Sequence, residues 1–337
     1  PRLGLPIHDI YSRPSRRFLA PVVHQLDDLP VTEVLINGPG SVYAELRGRL
    51  TLDSEAHFES EAALMAAARN IAEFAGRPLH AQTHSVDARL PDGSRVHLIL
   101  PPCSRAGVCV SIRKFNTAKL SLEQLVDLGT LPPDAAQRLS EAVAQHRNLV
   151  VSGGTGSGKT SLLNALSAEI DPAERIVVIE DSSELQLQQP HTVYLESRPA
   201  DQSGLGEVTI RDLFVDSLRM RPDRILVGEV RRGEALDLIQ SMVSGHRGAM
   251  TTVHASTPRD AMVRLETLSL MGGVQMPAHV ARSQVASAID LIVQINRHGD
   301  GSRRISHITA CHGLTEARDG IAADYQLEEI YRAQNDL

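Results

Sequence analysis

Residues 148–160 read NLVVSGGTGSGKT, and this stretch decides the fold of the second half of the chain. Its first five residues form the apolar run of a short strand buried in a parallel sheet. Gly153 to Thr160 fill every fixed position of the pattern G-x-x-x-x-G-K-[ST], and apolar residues at helical spacing follow. A strand, a glycine-rich loop and a helix in this order predict a loop whose backbone N–H groups cradle phosphates.

The residues of this loop have separate predicted tasks. Lys159 can reach the β- and γ-phosphates of a nucleotide, and the Thr160 hydroxyl can ligate Mg²⁺. We therefore predict ATP and Mg²⁺ as the cofactors. The predicted nucleotide-binding residues of the loop are Gly153, Gly154, Thr155, Gly156, Ser157, Gly158, Lys159, Thr160 and Ser161.

Length and charge limit the class of protein. The chain has 337 residues, enough for two domains that each have a core of their own. Its formal net charge is −7, which argues against a nucleic-acid partner because duplex binding needs a clustered basic face. No segment has the length and apolar character of a transmembrane helix, and we expect a cytoplasmic protein.

The pattern of apolar and polar residues changes along the chain. Alternating apolar and polar residues around turn signals predict hairpins at 31–51 and 84–102 and a strand at 107–115, while 58–74 has helical spacing. From residue 148 strands alternate with helices, which is typical of a parallel sheet with covered faces. The predicted parts are a helical lead-in at 1–30, a small α+β domain at 31–115, a linker with two helices at 116–147, and an α/β domain at 148–337.

Acidic residues follow two of the predicted strands. The four strand candidates of the α/β domain are 148–152, 175–180, 224–228 and 249–254. Glu180, Asp181 and Glu184 follow the second strand, and Glu229 follows the third, at the sheet edge where ligands bind in open α/β folds. Such carboxylates can hold the metal shell or polarise the attacking water, although a solvated acidic turn is equally consistent with 180–184.

Arg231 and His254 are further candidate site residues beside these acids. Arg231 lies two residues after Glu229 and could face the γ-phosphate, but a surface arginine is an equal alternative. His254 ends the fourth strand candidate and could donate a hydrogen bond to a phosphate oxygen. On its own, a single histidine is more often structural.

Longer motifs together resemble one family. The segments GGTGSGKT, IEDSSELQLQQP, IRDLFVDSLRMRPDRILVGEVRRGEALD, GHRGAMTTVHAS and RLETLSLMGG look like the type II/IV secretion ATPase superfamily. Within it the chain most resembles the CpaF/TadA branch, which powers tight-adherence (Flp, type IVc) pili. The resemblance covers nearly the whole chain from about Val31 to Ile308.

The resemblance implies a fold and a set of roles. It implies a RecA-like P-loop ATPase domain, a smaller N-terminal PAS-like domain and a hexameric ring with ATP at the joint between the domains. Glu184 would orient the attacking water, supported by Glu180, and Glu229 matches the Walker B glutamate, which with Thr160 would hold the metal. His254 matches a phosphate-facing histidine. Arg95 and Arg113 match arginines that reach the nucleotide from the first domain.

The implied function is a motor. It would hydrolyse ATP to assemble or retract a type IVc pilus, acting on platform proteins at the cytoplasmic face of the inner membrane. The alternatives are a VirB11-like conjugation or type IV secretion ATPase, a RecA-like DNA motor and a small-molecule kinase. Two residues depart from the branch, Arg247 where Asp is usual and Arg232 where Gly is usual, and both could alter a subunit contact.

Overall fold

The computed structural model describes residues 17–28, 30–46, 48–115, 120–200, 204–316 and 323–333. The chain divides into two compact units, Pro1–Thr117 and Ala118–Leu337. Most of the predicted lead-in (residues 1–16 and Leu29) and residues 116–119 of the predicted linker lie outside the described residues. Within the described ranges, no helix has both the length and the apolar character that crossing a bilayer requires.

The first unit is an α+β domain, as its alternating pattern predicts. Its strands are β1 (Val31–Asn37), β2 (Val42–Leu46), β3 (Arg49–Asp53), β4 (Ser85–Arg89), β5 (Arg95–Ile99) and β6 (Cys109–Arg113). They form an antiparallel sheet in the order β3-β2-β1-β6-β5-β4. The predicted hairpin at 31–51 is wrong in one respect: its second half is two strands, β2 and β3, with a turn at Gly48, whose φ is 80°.

Within the described residues, the helices of this unit are a short 3₁₀ helix (Ala20–Val22), α1 (Val23–Asp27) and α2 (Glu61–Phe74). The helix α2 begins after Ser60, whose side chain accepts a hydrogen bond from the N–H of Ala63 at 3.2 Å. Its buried side, which includes Leu64, packs with alternate strand residues such as Val34 in one core. The first described residues belong to the same core through Leu19 and Val22, so they are part of the domain.

The second unit is built on a mixed sheet of eight described strands. They are β7 (Leu149–Ser152), β8 (Ile176–Glu180), β9 (Thr192–Glu196), β10 (Arg224–Val227), β11 (Met250–Val253), β12 (Leu291–Arg297), β13 (Arg303–Leu314) and β14 (Tyr325–Arg332). Their order is β14-β13-β12-β7-β11-β10-β8-β9, parallel from β12 to β9 and antiparallel at β13 and β14. The four predicted strands are confirmed as β7, β8, β10 and β11.

Helices cover both faces of this sheet. They are α3 (Leu122–Asp127), α4 (Pro133–Ala144), α5 (Lys159–Ser167), α6 (Ile210–Ser217), α7 (Glu234–Val243), α8 (Pro258–Leu270) and α9 (Ala278–Ala288). Successive strand residues enter different cores: Val151 packs with α3, α4 and α5, whereas Val150 packs with α6 to α9. Burial on both faces explains why β7 and its neighbours are apolar runs instead of alternating patterns.

The predicted boundary at residue 148 needs a correction. The helices α3 and α4 belong to the second unit, because Leu122, Leu125 and Leu139 are buried in the same core as Leu149. The predicted linker with helices is therefore mostly part of the α/β domain. The carboxyl ends of β7, β8, β10 and β11 lead into the loops that carry the predicted site residues.

Candidate functional site: a phosphate loop with converging acids

The phosphate loop occupies residues 153–158, between the end of β7 and the start of α5. Gly153 has no room for a side chain, since its Cβ would collide with the carbonyl oxygen of Ile295 and lie 2.5 Å from the Ser157 hydroxyl. Gly158 has φ of 96°, which favours glycine, and it directly precedes the first residue of α5. Gly154 has open space for a Cβ and no left-handed backbone, so its conformation does not require glycine.

Lys159 lies inside the loop and is only 8% exposed. Its Nζ donates to the carbonyl oxygens of Gly153 at 3.1 Å and Gly154 at 2.9 Å, and lies 3.4 Å from Nε2 of His254. These contacts hold the ammonium group in the concavity of the loop, where a phosphate bound by the N–H groups would meet it.

Glu229 lies at the centre of a charged network at the end of β10. Its Oε1 is 2.8 Å from Nε2 of His254, and its Oε2 accepts from Nε and Nη2 of Arg231 at 2.8 and 2.6 Å. Arg231 also lies 3.8 Å from Asp181. The arginine that the sequence left undecided therefore pairs with the predicted Walker B acid, and the hydrogen bond raises the pKa of its guanidinium.

The protonation of His254 follows from this arrangement. Burial and the nearby charge of Lys159 lower the pKa of the imidazole below its ordinary value of 6.5, although Glu229 acts in the opposite direction. At neutral pH the ring is thus uncharged. Since a carboxylate only accepts hydrogen bonds, the shorter 2.8 Å contact with Glu229 assigns the ring proton to Nε2, and the 3.4 Å approach of the Lys159 ammonium to the same nitrogen is then not a hydrogen bond.

Two acids at and just after the end of β8 differ in what they contact: Glu180 binds backbone N–H groups, and Glu184 contacts Thr160. Glu180 is 4% exposed, and its Oε1 accepts from the backbone N–H groups of Glu184 at 2.9 Å and Leu185 at 3.0 Å. Burial raises the pKa of Glu180 to about 7. Glu184 in turn accepts from the Thr160 hydroxyl at 3.3 Å. Glu180 therefore shapes the turn that places Glu184 beside the phosphate loop.

These residues fit a bound Mg²⁺. The Thr160 hydroxyl and the carboxylates of Glu184 and Glu229 are hard oxygen donors, and Mg²⁺ in nucleotide sites takes one or two carboxylates together with phosphate oxygens. Across the ranges that the structure describes, no group of three or more His, Cys, Asp and Glu side chains could hold a metal unaided. A divalent cation here would need the phosphates of the nucleotide as ligands.

Arg95 and Arg113 lie in the first unit, directly opposite each other on β5 and β6. Arg89 on β4 is opposite Arg95, so three arginines form one row on the same side of the sheet. Beyond Arg113 the row continues with Glu33 on β1. Like charges opposite each other destabilise a sheet unless an anion or an acid balances them.

Of the two departures from the family pattern, Arg247 has a side-chain partner inside the chain, whereas the contact of Arg232 is made by its backbone N–H, which glycine would provide as well. Arg247 donates to both carboxylate oxygens of Asp290, at 2.9 and 2.8 Å, and the same carboxylate accepts from the N–H of Asn148 just before β7. The N–H of Arg232 donates to the carboxylate of Glu234 at 2.8 Å. Arg247 thus ties two loops of this unit together.

Sequence reasoning missed one group at the loop. Arg303, at the start of β13, donates from Nε to the carbonyl oxygen of Gly156 at 3.1 Å. The two residues are 147 positions apart, and β13 was not among the predicted strands. The alternating segment RRISHIT after the turn HGDG is a strand signal that could have been read.

Comparisons with known proteins agree with the motifs. The family model described as "Type II/IV secretion system protein" matches residues 17–321. A putative conjugal transfer protein of Mycobacterium tuberculosis is 37% identical over 315 residues, which cover 91% of this chain and 89% of the relative. The type IV secretion system protein VirB11 of Bartonella quintana is 32% identical over 319 residues, covering 83% of this chain and 88% of the relative.

A solved structure supports the fold alone. The Legionella pneumophila ATPase DotB matches with a TM-score of 0.58 at 19% identity, covering 87% of this chain and 80% of that one. The family match spans most of the sequence, and the complete phosphate loop agrees with it. This chain belongs to the type II/IV secretion system protein family and is an ATPase of that family.

Proposed function

We propose that the protein is the motor ATPase of a conjugal-transfer or type IV secretion machine. The main support for a hydrolytic site is a pair of contacts at the ends of neighbouring parallel strands. His254 lies 3.4 Å from Lys159 and 2.8 Å from Glu229. The relatives named for conjugal transfer and type IV secretion support this kind of machine. The tight-adherence pilus, which the motifs favoured, has less support from these relatives.

In the proposed site, the N–H groups of residues 153–161 and the ammonium of Lys159 bind the phosphates of ATP. Thr160 and Glu229, with Glu184 close to Thr160, would hold Mg²⁺, which supplies charge neutralisation when bound. Glu184 orients the attacking water and Glu229 polarises it. His254 is neutral and donates from Nε2, so it can change partners between Glu229 and a phosphate oxygen without gaining or losing a proton.

We propose that Arg95 and Arg113 are nucleotide-binding residues. The support is their position side by side on β5 and β6, which makes a two-guanidinium surface suited to a phosphate. Substituting Arg113 with alanine should reduce the thermal stabilisation that ATP gives, since at the same concentration a ligand that binds more weakly stabilises the folded state less. Equal stabilisation of this variant and the wild type would refute the assignment.

We further propose a homo-hexameric ring that works at the cytoplasmic face of the inner membrane and moves components of a membrane-embedded machine. Family membership supports the ring and the location. No nucleic-acid partner is proposed, and the net charge of −7 agrees with that choice.

Hydrolysis by the purified chain tests the activity. We expect ATP turnover without any acceptor molecule, which excludes a small-molecule kinase, and no salt-dependent binding of duplex DNA, which excludes a DNA motor. Lys159→Ala should abolish turnover because the phosphates lose their cation. The matched control is Arg138→Ala, an exposed residue of α4, which should retain activity. Unchanged turnover in Lys159→Ala would refute the site.

A deletion strain tests the machine. Complementation with wild type, but not with Lys159→Ala, should restore transfer of DNA or of a secreted protein to a recipient cell. Loss of surface pili with transfer intact would instead assign the motor to the tight-adherence pilus. Both readouts come from the same pair of strains, so one experiment separates the two machines.

A further inference from the structure

The hairpin of β12 and β13 continues past the end of β7 and lies against the phosphate loop. The parallel pairing of β12 with β7 ends where Gln294 meets Ser152, so the last three residues of β12 run on beside the loop. The carbonyl oxygen of Ile295 occupies the space that a side chain on Gly153 would need. The phosphate loop therefore packs against this hairpin.

Two arginines of the hairpin reach the outer part of the loop. Arg297 and Arg303 are opposite each other on β12 and β13. Nη1 of Arg297 is 3.3 Å from the position that a Cβ on Gly156 would take, and Cδ of Arg303 is 3.1 Å from the same position on Gly158. Arg303 makes a hydrogen bond to the loop, from Nε to the carbonyl oxygen of Gly156.

The hydrogen bond fixes the direction of one peptide unit. A peptide unit is planar and trans, so the carbonyl of Gly156 and the N–H of Ser157 point in opposite directions. The guanidinium of Arg303 holds the carbonyl on the outer side, and the N–H of Ser157 accordingly points inward. In the structure this N–H donates to the carbonyl oxygen of Gly154 at 3.4 Å, the same oxygen that Lys159 contacts.

We propose that Arg303 is a positioning residue for the nucleotide phosphates. By holding the carbonyl of Gly156, it keeps the N–H of Ser157 turned into the concavity of the loop, and its positive charge polarises that peptide so that the N–H becomes a stronger donor. The inference rests on the proposed ATPase site. Arg303 acts through the loop and does not contact the reacting atoms, so it contributes to nucleotide affinity and leaves the chemical step unchanged.

Three variants test this role. Arg303→Ala removes the contact, and Arg303→Gln keeps a neutral N–H donor. Arg304→Ala is the matched control: its side chain points to the opposite face of the strand and lies 4.0 Å from Asp300. The measurements are kcat and KM for ATP, the Kd for ADP by titration, and the melting temperature of the nucleotide-free protein as a check of folding.

We expect Arg303→Ala to raise KM for ATP and Kd for ADP together by about fivefold, equivalent to about 1 kcal/mol, with kcat within about twofold of wild type. Arg303→Gln should recover part of this affinity, and Arg304→Ala should match wild type. Wild-type affinity in Arg303→Ala would overturn the inference, as would an equal loss in Arg304→Ala, which would indicate a general effect of charge.

The outcome is separable from the proposed function. If the wild-type protein neither binds nor hydrolyses ATP, the proposed function fails. If it does both and Arg303→Ala binds ADP equally well, only the positioning role fails. Should Arg303→Ala not fold, Arg303→Gln answers the same question. A KM for ATP and a Kd for ADP raised by about twofold or more in Arg303→Gln, with Arg304→Ala at wild-type affinity, would support the role. Wild-type affinity in Arg303→Gln would overturn it.

Discussion

Glu229 is the residue on which the nucleotide network converges, because one carboxylate oxygen meets His254 and the other meets Arg231. Glu229→Gln keeps the size of the side chain and removes its charge. We expect ATP still to bind and hydrolysis to be lost or nearly so, since the water loses its polarising group. The measurement is the ratio of ATP to ADP bound after incubation. ADP accumulating at the wild-type rate would make Glu229 structural.

Glu184 is the second acid whose role a substitution can test, and its variant is compared with Glu229→Gln. Its carboxylate accepts a hydrogen bond from the Thr160 hydroxyl, so Glu184→Gln should lower kcat if this acid orients the attacking water. A variant with wild-type kcat would remove Glu184 from the role of water-orienting acid.

Glu180 makes stability depend on pH. Burial raises the pKa of its carboxyl from 4.5 to about 7 in the folded protein. The folded state then binds more protons than the unfolded state between these values, so the contribution of this group is complete below about pH 4.5 and is lost as the pH rises through 7. The free energy of unfolding of wild type should fall from about pH 5 to 8 more steeply than that of Glu180→Gln, which cannot ionise. Parallel pH profiles in urea denaturation would contradict this.

At the scale of elements, β8 and β10 are held together at the ends opposite the acids. Arg224 begins β10 and is 1% exposed, and its guanidinium forms two hydrogen bonds to Glu174, just before β8, at 2.6 and 2.9 Å. The pairing of Arg224 with Ile176 starts the register that ends with Val227 opposite Ile179. Glu180 is the next residue of β8, and Glu229 follows β10 by two residues. The ion pair therefore fixes the register that delivers both acids.

Removing one partner of this buried pair should be costly. Glu174→Ala leaves a buried guanidinium without its counter-charge, which typically costs about 3–5 kcal/mol. Urea denaturation measures the loss. The control is Arg332→Ala, which removes an exposed pair with Glu329 at 3.7 Å and should cost less than about 1 kcal/mol. Similar losses of unfolding free energy in both variants would show that the Glu174–Arg224 pair stabilises the fold no more than an exposed ion pair does.

At the scale of the whole molecule, the expected working form is a ring. We expect light scattering to show hexamers at micromolar concentration in the presence of a non-hydrolysable ATP analogue, because the proposed motor acts as an assembly. Lys159→Ala should need more analogue to assemble, since assembly would be linked to nucleotide binding. A monomer under all of these conditions would contradict the ring and leave the nucleotide site untouched.

Local signals in the sequence were sufficient for much of the second unit. The phosphate loop, β7 before it and α5 after it follow from residues that are contiguous in the chain, and the acids Glu180 and Glu229 could be placed because each directly follows an apolar strand. The strands β9, β12, β13 and β14 were not predicted, since the preference of a segment for a strand depends on its neighbours in the sheet as much as on its own pattern. Nor does alternation reveal the turn at Gly48.

The sequence by itself determined which chemical groups this protein has and where along each strand they stand, because turn residues and hydrophobic periodicity act over a few neighbouring positions. Only the tertiary structure decided which groups meet. The pairing of Arg231 with Glu229 is local but depends on the turn after β10, whereas Arg247 with Asp290 and Arg303 with Gly156 join segments 43 and 147 positions apart. The physical reason is that sheet order and core packing bring distant segments together, and no local pattern encodes that order.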